Sequence, residues 1–195
     1  DYNLDGLLDL YVANGHIEEE IERVQPKVTF RQAPHLFKNA GKGRFEDVAS
    51  QVGQDFAKPR VARGAIYGDY DNDGDLDVLV TTNNGPAHLF RNEGGNQNRW
   101  IRIRTRGVKS NRNGFGAKVT VTAAGLPRQW NTVRSGSSYC SQSEQALTFG
   151  LGKTGTANVE IQWPSGVKES FRNVAAGRTY LATEGKGLEP AANAR

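Results

Sequence analysis

The sequence predicts an all-β chain, in which a partial β-propeller of one to two blades is followed by a small antiparallel β-sandwich. Two observations predict this fold. An acidic loop occurs twice in the first half, each time followed by a short apolar run, and short strands of alternating character fill the second half. Glycine is also frequent, with 23 in 195 residues, as expected where many tight turns join short strands.

The charge of the chain changes sign near its middle. Residues 1–95 hold 10 Lys/Arg and 16 Asp/Glu, whereas residues 96–195 hold 15 Lys/Arg and 5 Asp/Glu. A change of this kind indicates separate modules. We therefore predict a propeller module at 1–95, a sandwich module at 96–184 and a disordered tail at 185–195.

The acidic loop is clearest at residues 69–77, DYDNDGDLD, where five carboxylates fall on alternate residues. So many negative charges repel one another unless a cation lies among them. A glycine at loop position 6 permits a sharp turn, and position 7 can offer its backbone carbonyl, as in loops that hold a hard cation. The motif also stands 68 residues earlier, at residues 1–9, DYNLDGLLD. The alternative is a solvated turn without a metal.

An oxygen-only ligand set in a flexible loop favours Ca²⁺ over Zn²⁺ and Mg²⁺, so we predict one to two calcium ions. The loop is not an EF-hand, because an EF-hand continues into a helix and carries Glu at position 12. Position 12 is Val80 in one copy and Val12 in the other, and a β-branched run follows Asp77 directly. Each loop is therefore expected to join strands.

A second element, Leu-Phe-basic-Asn, also repeats, at residues 36–39 and 89–92, and is preceded both times by His. Repeated units made of short strands are typical of propeller blades. The intervening segment 16–34 is predicted to be a long surface loop, with about two helical turns between Ile17 and Val24.

In the second half, residues 100–106, WIRIRTR, alternate strictly and predict a strand whose basic face carries Arg102, Arg104 and Arg106. We interpret this face as solvated. The alternatives are that it contacts an anionic glycan, a nucleic acid or the acidic first module itself. Trp and Cys are expected to be buried in the core at the positions Trp100, Trp130, Trp163 and Cys140.

The first half resembles the FG-GAP/VCBS repeats of integrin-alpha-like β-propellers, through the D-x-[DN]-x-D-G-x-x-D loop between strands. The resemblance implies calcium ligands at loop positions 1, 3, 5 and 9, with a carbonyl ligand at position 7. The implied metal ligands are Asp69, Asp71, Asp73, Asp75 and Asp77 in one loop, and Asp1, Asn3, Asp5, Leu7 and Asp9 in the other.

The second half resembles the ASPIC/UnbV domain of the cartilage acidic protein family. The resemblance is carried by residues 110–117 (SNRNGFGA), 141–143 (SQS), 149–152 (FGLG) and 163–166 (WPSG). It implies a β-sandwich that follows calcium-binding repeats.

No nucleophile, acid–base pair or catalytic metal can be assembled from these motifs, so we predict that the chain is not an enzyme. We expect a non-catalytic calcium-binding module, extracellular or at the cell surface (secreted), for adhesion or matrix/protein interaction. The alternative is a carbohydrate-binding module that uses exposed Trp and the basic strand face. A protein or glycan ligand, no nucleic acid and no membrane span are expected, since no apolar run approaches about 20 residues.

The chain contains no Met and begins inside a motif, so we expect it to be part of a longer protein with further blades.

Overall fold

The computed structural model describes residues 1–191, which form four β-sheets and very little helix. The strands of the first module are β1 (Leu10–Val12), β2 (His35–Asn39), β3 (Phe45–Asp47), β4 (Ala62–Gly68), β5 (Asp77–Thr82) and β6 (His88–Phe90). They form two antiparallel three-stranded sheets with the orders β1-β2-β3 and β4-β5-β6. This agrees with the predicted partial blades.

The two sheets repeat each other in register as well as in sequence. Val12 pairs with His35 across β1 and β2, and Val80 pairs with His88 across β5 and β6. Both valines stand at position 12 after the start of an acidic loop. The histidine of each pair stacks on the phenylalanine two residues later in its strand. His35 and His88 therefore occupy equivalent positions in the two sheets.

The helix in the long loop is shorter than predicted. Helix α1 is Ile21–Val24, a single turn, and no side chain caps its N-terminus. Its end is set by Pro26, because a proline disfavours the helical conformation of the residue before it. Accordingly, Gln25 has a φ of −130° and a ψ of 86°.

Phe56 packs between the two blades. Its ring centroid lies 5.4 Å from that of Tyr11 and 5.1 Å from that of Phe90. The buried guanidinium of Arg60 lies 5.0 Å from the centre of the Phe90 ring and donates to nearby backbone carbonyls. The segment between β3 and β4 therefore fills the space between the blades.

The second module consists of two four-stranded sheets packed face to face. Its strands are β7 (Arg99–Arg106), β8 (Lys118–Thr122), β9 (Gln129–Thr132), β10 (Leu147–Gly152), β11 (Thr156–Gln162), β12 (Lys168–Ala175), β13 (Arg178–Thr183) and β14 (Gly187–Pro190). The sheet orders are β10-β7-β13-β14 and β12-β11-β8-β9. Their inner faces bury one continuous apolar cluster, which includes Ile101, Ile103, Val119, Val159 and Phe149. The predicted sandwich is confirmed.

One strand pair departs from the predicted antiparallel pattern, since β7 and β13 are parallel. Between β10 and β13 the chain crosses to the other sheet and forms β11 and β12 there. β7 and β13 are therefore joined by a long crossover connection and not by a hairpin, and such a connection permits parallel pairing.

The predicted disordered tail is wrong for Gly187–Pro190, which form β14 and pair antiparallel with β13. A turn at Thr183–Lys186, where the Lys186 N–H donates to the Thr183 carbonyl, brings the chain back along β13. The remainder of the predicted tail, residues 192–195, lies outside the described residues. Within residues 1–191, no helix is long and apolar enough to cross a membrane.

The two modules are joined by direct hydrogen bonds along β4. Its backbone N–H groups at Ala65 and Tyr67 donate to the hydroxyls of Ser141 and Ser143, at 3.0 and 3.2 Å. The Glu144 N–H in turn donates to the Tyr67 carbonyl at 3.1 Å. A segment of the second module therefore covers an edge strand of the first, which would otherwise present unpaired backbone groups.

Candidate metal centre

The second acidic loop lies between β4 and β5 and gathers three carboxylates at one point. Oxygen atoms of Asp69, Asp71 and Asp77 all lie within 4.8 Å of one another. Asp69 and Asp77 are buried, whereas Asp71 is exposed. One hard cation with oxygen ligands fits among carboxylates that converge in this way. The cluster brings together the predicted ligands at loop positions 1, 3 and 9.

The two carboxylate oxygens of Asp69 have different surroundings. Oδ2 accepts a hydrogen bond from the Gly74 N–H at 3.2 Å and another from the Arg102 guanidinium. Oδ1 is buried and has no hydrogen-bond partner among the described residues. A buried acceptor without a partner is costly, and a cation at this point would satisfy it. The unpartnered oxygen therefore fits the predicted calcium ion.

Burial also raises the pKa of Asp69, although the positive charge of Arg102 opposes this shift. The same cause raises the pKa of Asp75, whose side chain is fully buried, to about 7. Carboxyl groups in such surroundings resist ionisation unless a positive charge accompanies them. A bound Ca²⁺ would supply that charge.

The structure does not bring Asp73 into the cluster. Its Oδ1 accepts a hydrogen bond from the Asp75 N–H at 3.1 Å, and its Oδ2 accepts one from the Asn96 side chain at 2.8 Å. Asn96 also donates its backbone N–H to the Asp75 carboxylate at 3.1 Å. The junction between the modules therefore holds these two acidic side chains. The ligand roles assigned to Asp73 and to the Asp75 carbonyl stay predictions.

The last aspartate of each loop has a second role that the sequence reasoning missed. Asp77 Oδ2 accepts from the Tyr70 N–H at 3.0 Å, and its Oδ1 accepts from the Asn92 N–H at 2.8 Å. The first loop repeats the pattern, at 3.1 and 2.8 Å, with Asp9, Tyr2 and Asn39. Asn39 and Asn92 end the repeated Leu-Phe-basic-Asn elements. The Leu-Phe-basic-Asn element therefore fastens the loop to the neighbouring strand. Its recurrence after each acidic loop is the sequence signal that could have revealed this role.

The first acidic loop is closed by its own hydrogen bonds. Both oxygens of Asp1 accept backbone N–H groups, from Asp5 at 3.0 Å and from Gly6 at 2.9 Å. Asn3 donates its side-chain amide to Asp5 at 3.0 Å, and the Leu7 N–H donates to the other Asp5 oxygen at 2.9 Å. Over residues 1–191, the carboxylates that cluster within 4.8 Å are those of the second loop. The ligand set predicted for the first loop, which includes Asp9, stays a prediction.

Both loops contact the second module. Leu4 in the first loop is fully buried, and its carbonyl accepts the Gly152 N–H of β10 at 3.0 Å. At the second loop, Gly74 has a φ of +104° and lies directly against the indole of Trp100. A side chain at Gly74 would overlap that indole. The candidate metal centre is therefore also part of the interface between the modules.

The interpretation of the basic strand face as solvated is wrong for Arg102, which is only 7% exposed. One of its terminal nitrogens bonds to Asp69 and the other to Glu144. Burial raises the pKa of Glu144, and Arg102 partly offsets this rise. Both partners are far away along the chain, so alternation within the strand could not reveal them. Arg104 and Arg106, on the same face of β7, are exposed.

The expected burial of the tryptophans holds fully for one of the three. Trp163 is 2% exposed and donates its indole N–H to Glu169 at 2.6 Å. Trp100 is half-buried against the second acidic loop. Trp130 is 54% exposed, and the Lys118 ammonium lies 4.4 Å from the centre of its ring. Trp130 pairs with Thr120, whose neighbours Val119 and Val121 point into the core, so Trp130 lies on the outer face of its sheet.

The expected burial of Cys140 is also wrong. The cysteine is exposed and has a φ of +48°. It lies in a turn closed by the hydrogen bond from the Ser141 N–H to the Ser138 carbonyl, not in a strand.

Two family models match the chain, one for each half. The FG-GAP-like repeat matches residues 1–80, and the model described as ASPIC and UnbV matches residues 107–189. These matches confirm both resemblances predicted from the sequence. The matched regions contain the two acidic loops and the sandwich strands from β8 to β14.

Among known proteins, the chain is similar to Cartilage acidic protein 1 from three vertebrates. It is 35% identical to the protein of Homo sapiens over 126 residues, which is 62% of this chain. It is 33% identical to the protein of Mus musculus and 32% identical to that of Xenopus tropicalis, each over 58% of this chain. The match spans 18% of the length of each relative.

Proposed function

We propose that the chain is a non-catalytic, calcium-stabilised module of an extracellular or cell-surface protein, and that it serves adhesion or matrix/protein interaction. The observation that carries the proposal is the convergence of Asp69, Asp71 and Asp77, with a buried Asp69 oxygen that has no partner. The similarity to an FG-GAP-like repeat and to Cartilage acidic protein 1 supports a role in the extracellular matrix.

The calcium ion is structural in this proposal. Asp69, Asp71, Asp73 and Asp77 would hold it through side-chain oxygens, and Asp75 through its carbonyl. Such an ion removes the repulsion between carboxylates and holds the loop in the conformation that packs against Trp100 and Arg102. A dissociation constant of about 10⁻⁴–10⁻³ M is expected, as for extracellular calcium modules.

Calcium titration with thermal melting tests the proposal. A ligand that binds only the folded state stabilises it by about 2.7 kcal/mol at a hundred times its Kd. For a chain of this size, each kcal/mol of stabilisation raises Tm by about 2–4 °C. We expect this rise for the wild type, its loss in Asp71→Asn, and its retention in Asp55→Asn, which removes an exposed carboxylate outside the loops. Equal melting temperatures in Ca²⁺ and in EDTA would contradict the proposal.

The second loop is proposed to bind calcium more tightly than the first. Its carboxylates converge, whereas Asn3 removes one charge from the first loop and donates a hydrogen bond to Asp5. Calorimetric titration of Asp73→Asn and Asp5→Asn compares the two sites directly. The former should remove the tighter binding step and the latter the weaker one. An equal loss from both variants would count against this order.

A further inference from the structure

A groove of about 720 Å³ lies on the outer face of the sheet β10-β7-β13-β14 and has no part in the calcium proposal. The Asn72 tip of the second acidic loop and the Arg102–Glu144 pair line one part of it. Arg104 and Arg106 line the groove along β7, and Arg112 contributes from the loop after that strand.

The arginines of β7 form a row because alternate residues of a strand point to the same face. Successive members of such a row are about 6.6–6.8 Å apart along the strand. Arg102 is held by Asp69 and Glu144. Within residues 1–191, Arg104, Arg106 and Arg112 form no ion pair, and all three are exposed. The groove therefore offers three guanidinium groups to an external ligand.

The negative charges that face these arginines are few. Glu144 is already paired with Arg102, and its partly buried side chain lies against Gly68, directly before the second acidic loop. The other carboxylate in the lining is the exposed Glu189, which pairs in register with Leu181 between β14 and β13. Three unpaired cations thus face one unpaired carboxylate. Guanidinium groups bind sulfate and carboxylate groups through paired, charge-assisted hydrogen bonds.

The rest of the lining indicates which kind of anion fits. Hydroxyl and amide side chains also line the groove, at Asn113, Gln145 and Thr179. The lining contains no aromatic side chain, so nucleic-acid bases have no stacking platform. It also lacks the buried apolar anchor that a protein partner uses. Polar hydroxyls together with spaced negative charges are the surface of an acidic sugar chain.

We propose that this groove binds a sulfated or carboxylated polysaccharide through Arg104, Arg106 and Arg112. The inference goes beyond the calcium-stabilised module, because it assigns a ligand class to a surface of the second module. It does not depend on the metal.

Heparin serves as the probe, with the full chain and with surface plasmon resonance or calorimetry as the measurement. The double variant Arg104→Gln/Arg106→Gln should bind heparin at least about tenfold more weakly, since two charge-assisted contacts are lost. The matched control Lys168→Gln/Arg172→Gln removes two exposed cations from β12, in the opposite sheet, and should bind within about twofold of the wild type. Affinity should also fall between about 50 and 200 mM salt.

Arg112→Gln provides a second variant outside the strand and is expected to weaken binding without altering Tm. An equal loss in the β12 control would overturn the proposal, as would the absence of heparin binding at low salt. Single-stranded DNA that bound as tightly as heparin and with the same arginine dependence would overturn the glycan assignment. Each titration is run in Ca²⁺ and in EDTA, so that failure of the calcium site and failure of the groove give different results.

Discussion

Gly74 occupies position 6 of the second acidic loop, with a φ of +104° and the Trp100 indole in van der Waals contact. We expect Gly74→Ala to destabilise the chain by more than the cost of backbone strain alone, which is about 1–2 kcal/mol. The excess arises because the new Cβ displaces Trp100 and opens the interface between the modules. Chemical denaturation measures the loss.

Gly43→Ala is the control for this substitution. Gly43 also has a positive φ, of +75°, but an added Cβ there meets nothing within 4 Å. The two variants share the strain and differ in the contact. Equal losses of stability would show that Trp100 does not restrain the loop.

The carboxylate of Glu184 accepts an unusually large number of hydrogen bonds. It is 3% exposed, and its Oε2 accepts the N–H groups of Val108, Lys109 and Ser110, each at 2.7 Å. Burial acts to raise its pKa, but the hydrogen bonds from Ser165 and from these N–H groups outweigh burial and lower the pKa to about 2. The ionised carboxylate is therefore the form that stabilises the fold.

This shift predicts a pH dependence of stability. Because the folded pKa lies below the unfolded value, the stabilisation is fully present above about pH 4.5 and is lost as the pH falls toward 2. Glu184→Gln should lower Tm at neutral pH, and the difference from the wild type should shrink over that window. The exposed Glu46→Gln is the control and should leave Tm unchanged. A deficit for Glu184→Gln that stayed constant with pH would contradict the assignment.

At the scale of elements, Asn92 joins the second acidic loop to β6. Its side chain donates to the Tyr2 carbonyl at 2.7 Å and accepts the N–H groups of Gly94 and Gly95 at 3.2 and 3.1 Å. Asn92→Ala should destabilise the chain by about 1–3 kcal/mol, since one to three hydrogen bonds are lost. Equilibrium unfolding measures this loss, and Asn113→Ala, an exposed asparagine without such contacts, should have little effect. Calcium affinity should also fall, because the Asn92 side chain holds in place the backbone whose N–H donates to Asp77.

The strands and loops that the sequence predicted share one property: their signal is local. The 69–77 loop, the Leu-Phe-basic-Asn element and the alternation of β7 each lie within ten residues. The helix predicted between Ile17 and Val24 is too long. The polar run before Pro26 provides neither a cap nor an apolar stripe, so only the single turn of α1 forms. The strand β14 was missed because its short sequence, GLEP, carries no alternation, and only pairing with β13 makes it a strand.

At the scale of the whole molecule, Arg102 connects the modules through Asp69 on one side and Glu144 on the other. Its side chain is 9% exposed, so replacement leaves the buried Asp69 and the partly buried Glu144 without their cation. Arg102→Met should destabilise the chain by about 3–5 kcal/mol. Arg104→Met, two residues away on the same face but exposed, should change stability by less than about 0.5 kcal/mol.

Urea titration compares these two arginine variants. Hydrogen exchange of Ala65 and Tyr67 shows whether the modules separate, because their N–H groups donate to Ser141 and Ser143 across the interface. Similar losses from both arginines, or protection that is unchanged in Arg102→Met, would contradict the role of Arg102 as the link.

Contacts between the modules are the part of the candidate site that the sequence did not predict. Composition predicted a division of the chain near residue 95, but a division says nothing about which faces meet. The partners of Arg102 lie 33 and 42 residues away, and those of β4 lie 76 residues away. Trp100 was expected in the core on hydrophobicity alone, yet it packs partly on a loop glycine. The basic row was visible in the sequence, whereas the separate environment of each arginine was not.

The parallel pairing of β7 with β13 has a consequence for the order in which the chain matures on the ribosome. Arg99–Arg106 pairs with Leu147–Gly152 on one side, but its other neighbour, Arg178–Thr183, begins 72 residues after β7 ends and is synthesised after all four strands of the opposite sheet. Until that strand emerges from the exit tunnel, one edge of the β7 backbone has no partner. Non-local pairing of this kind slows folding and exposes nascent chains to aggregation. A nonsense codon before residue 178 would therefore leave a polypeptide whose sandwich cannot close, and cellular quality control would be expected to remove it.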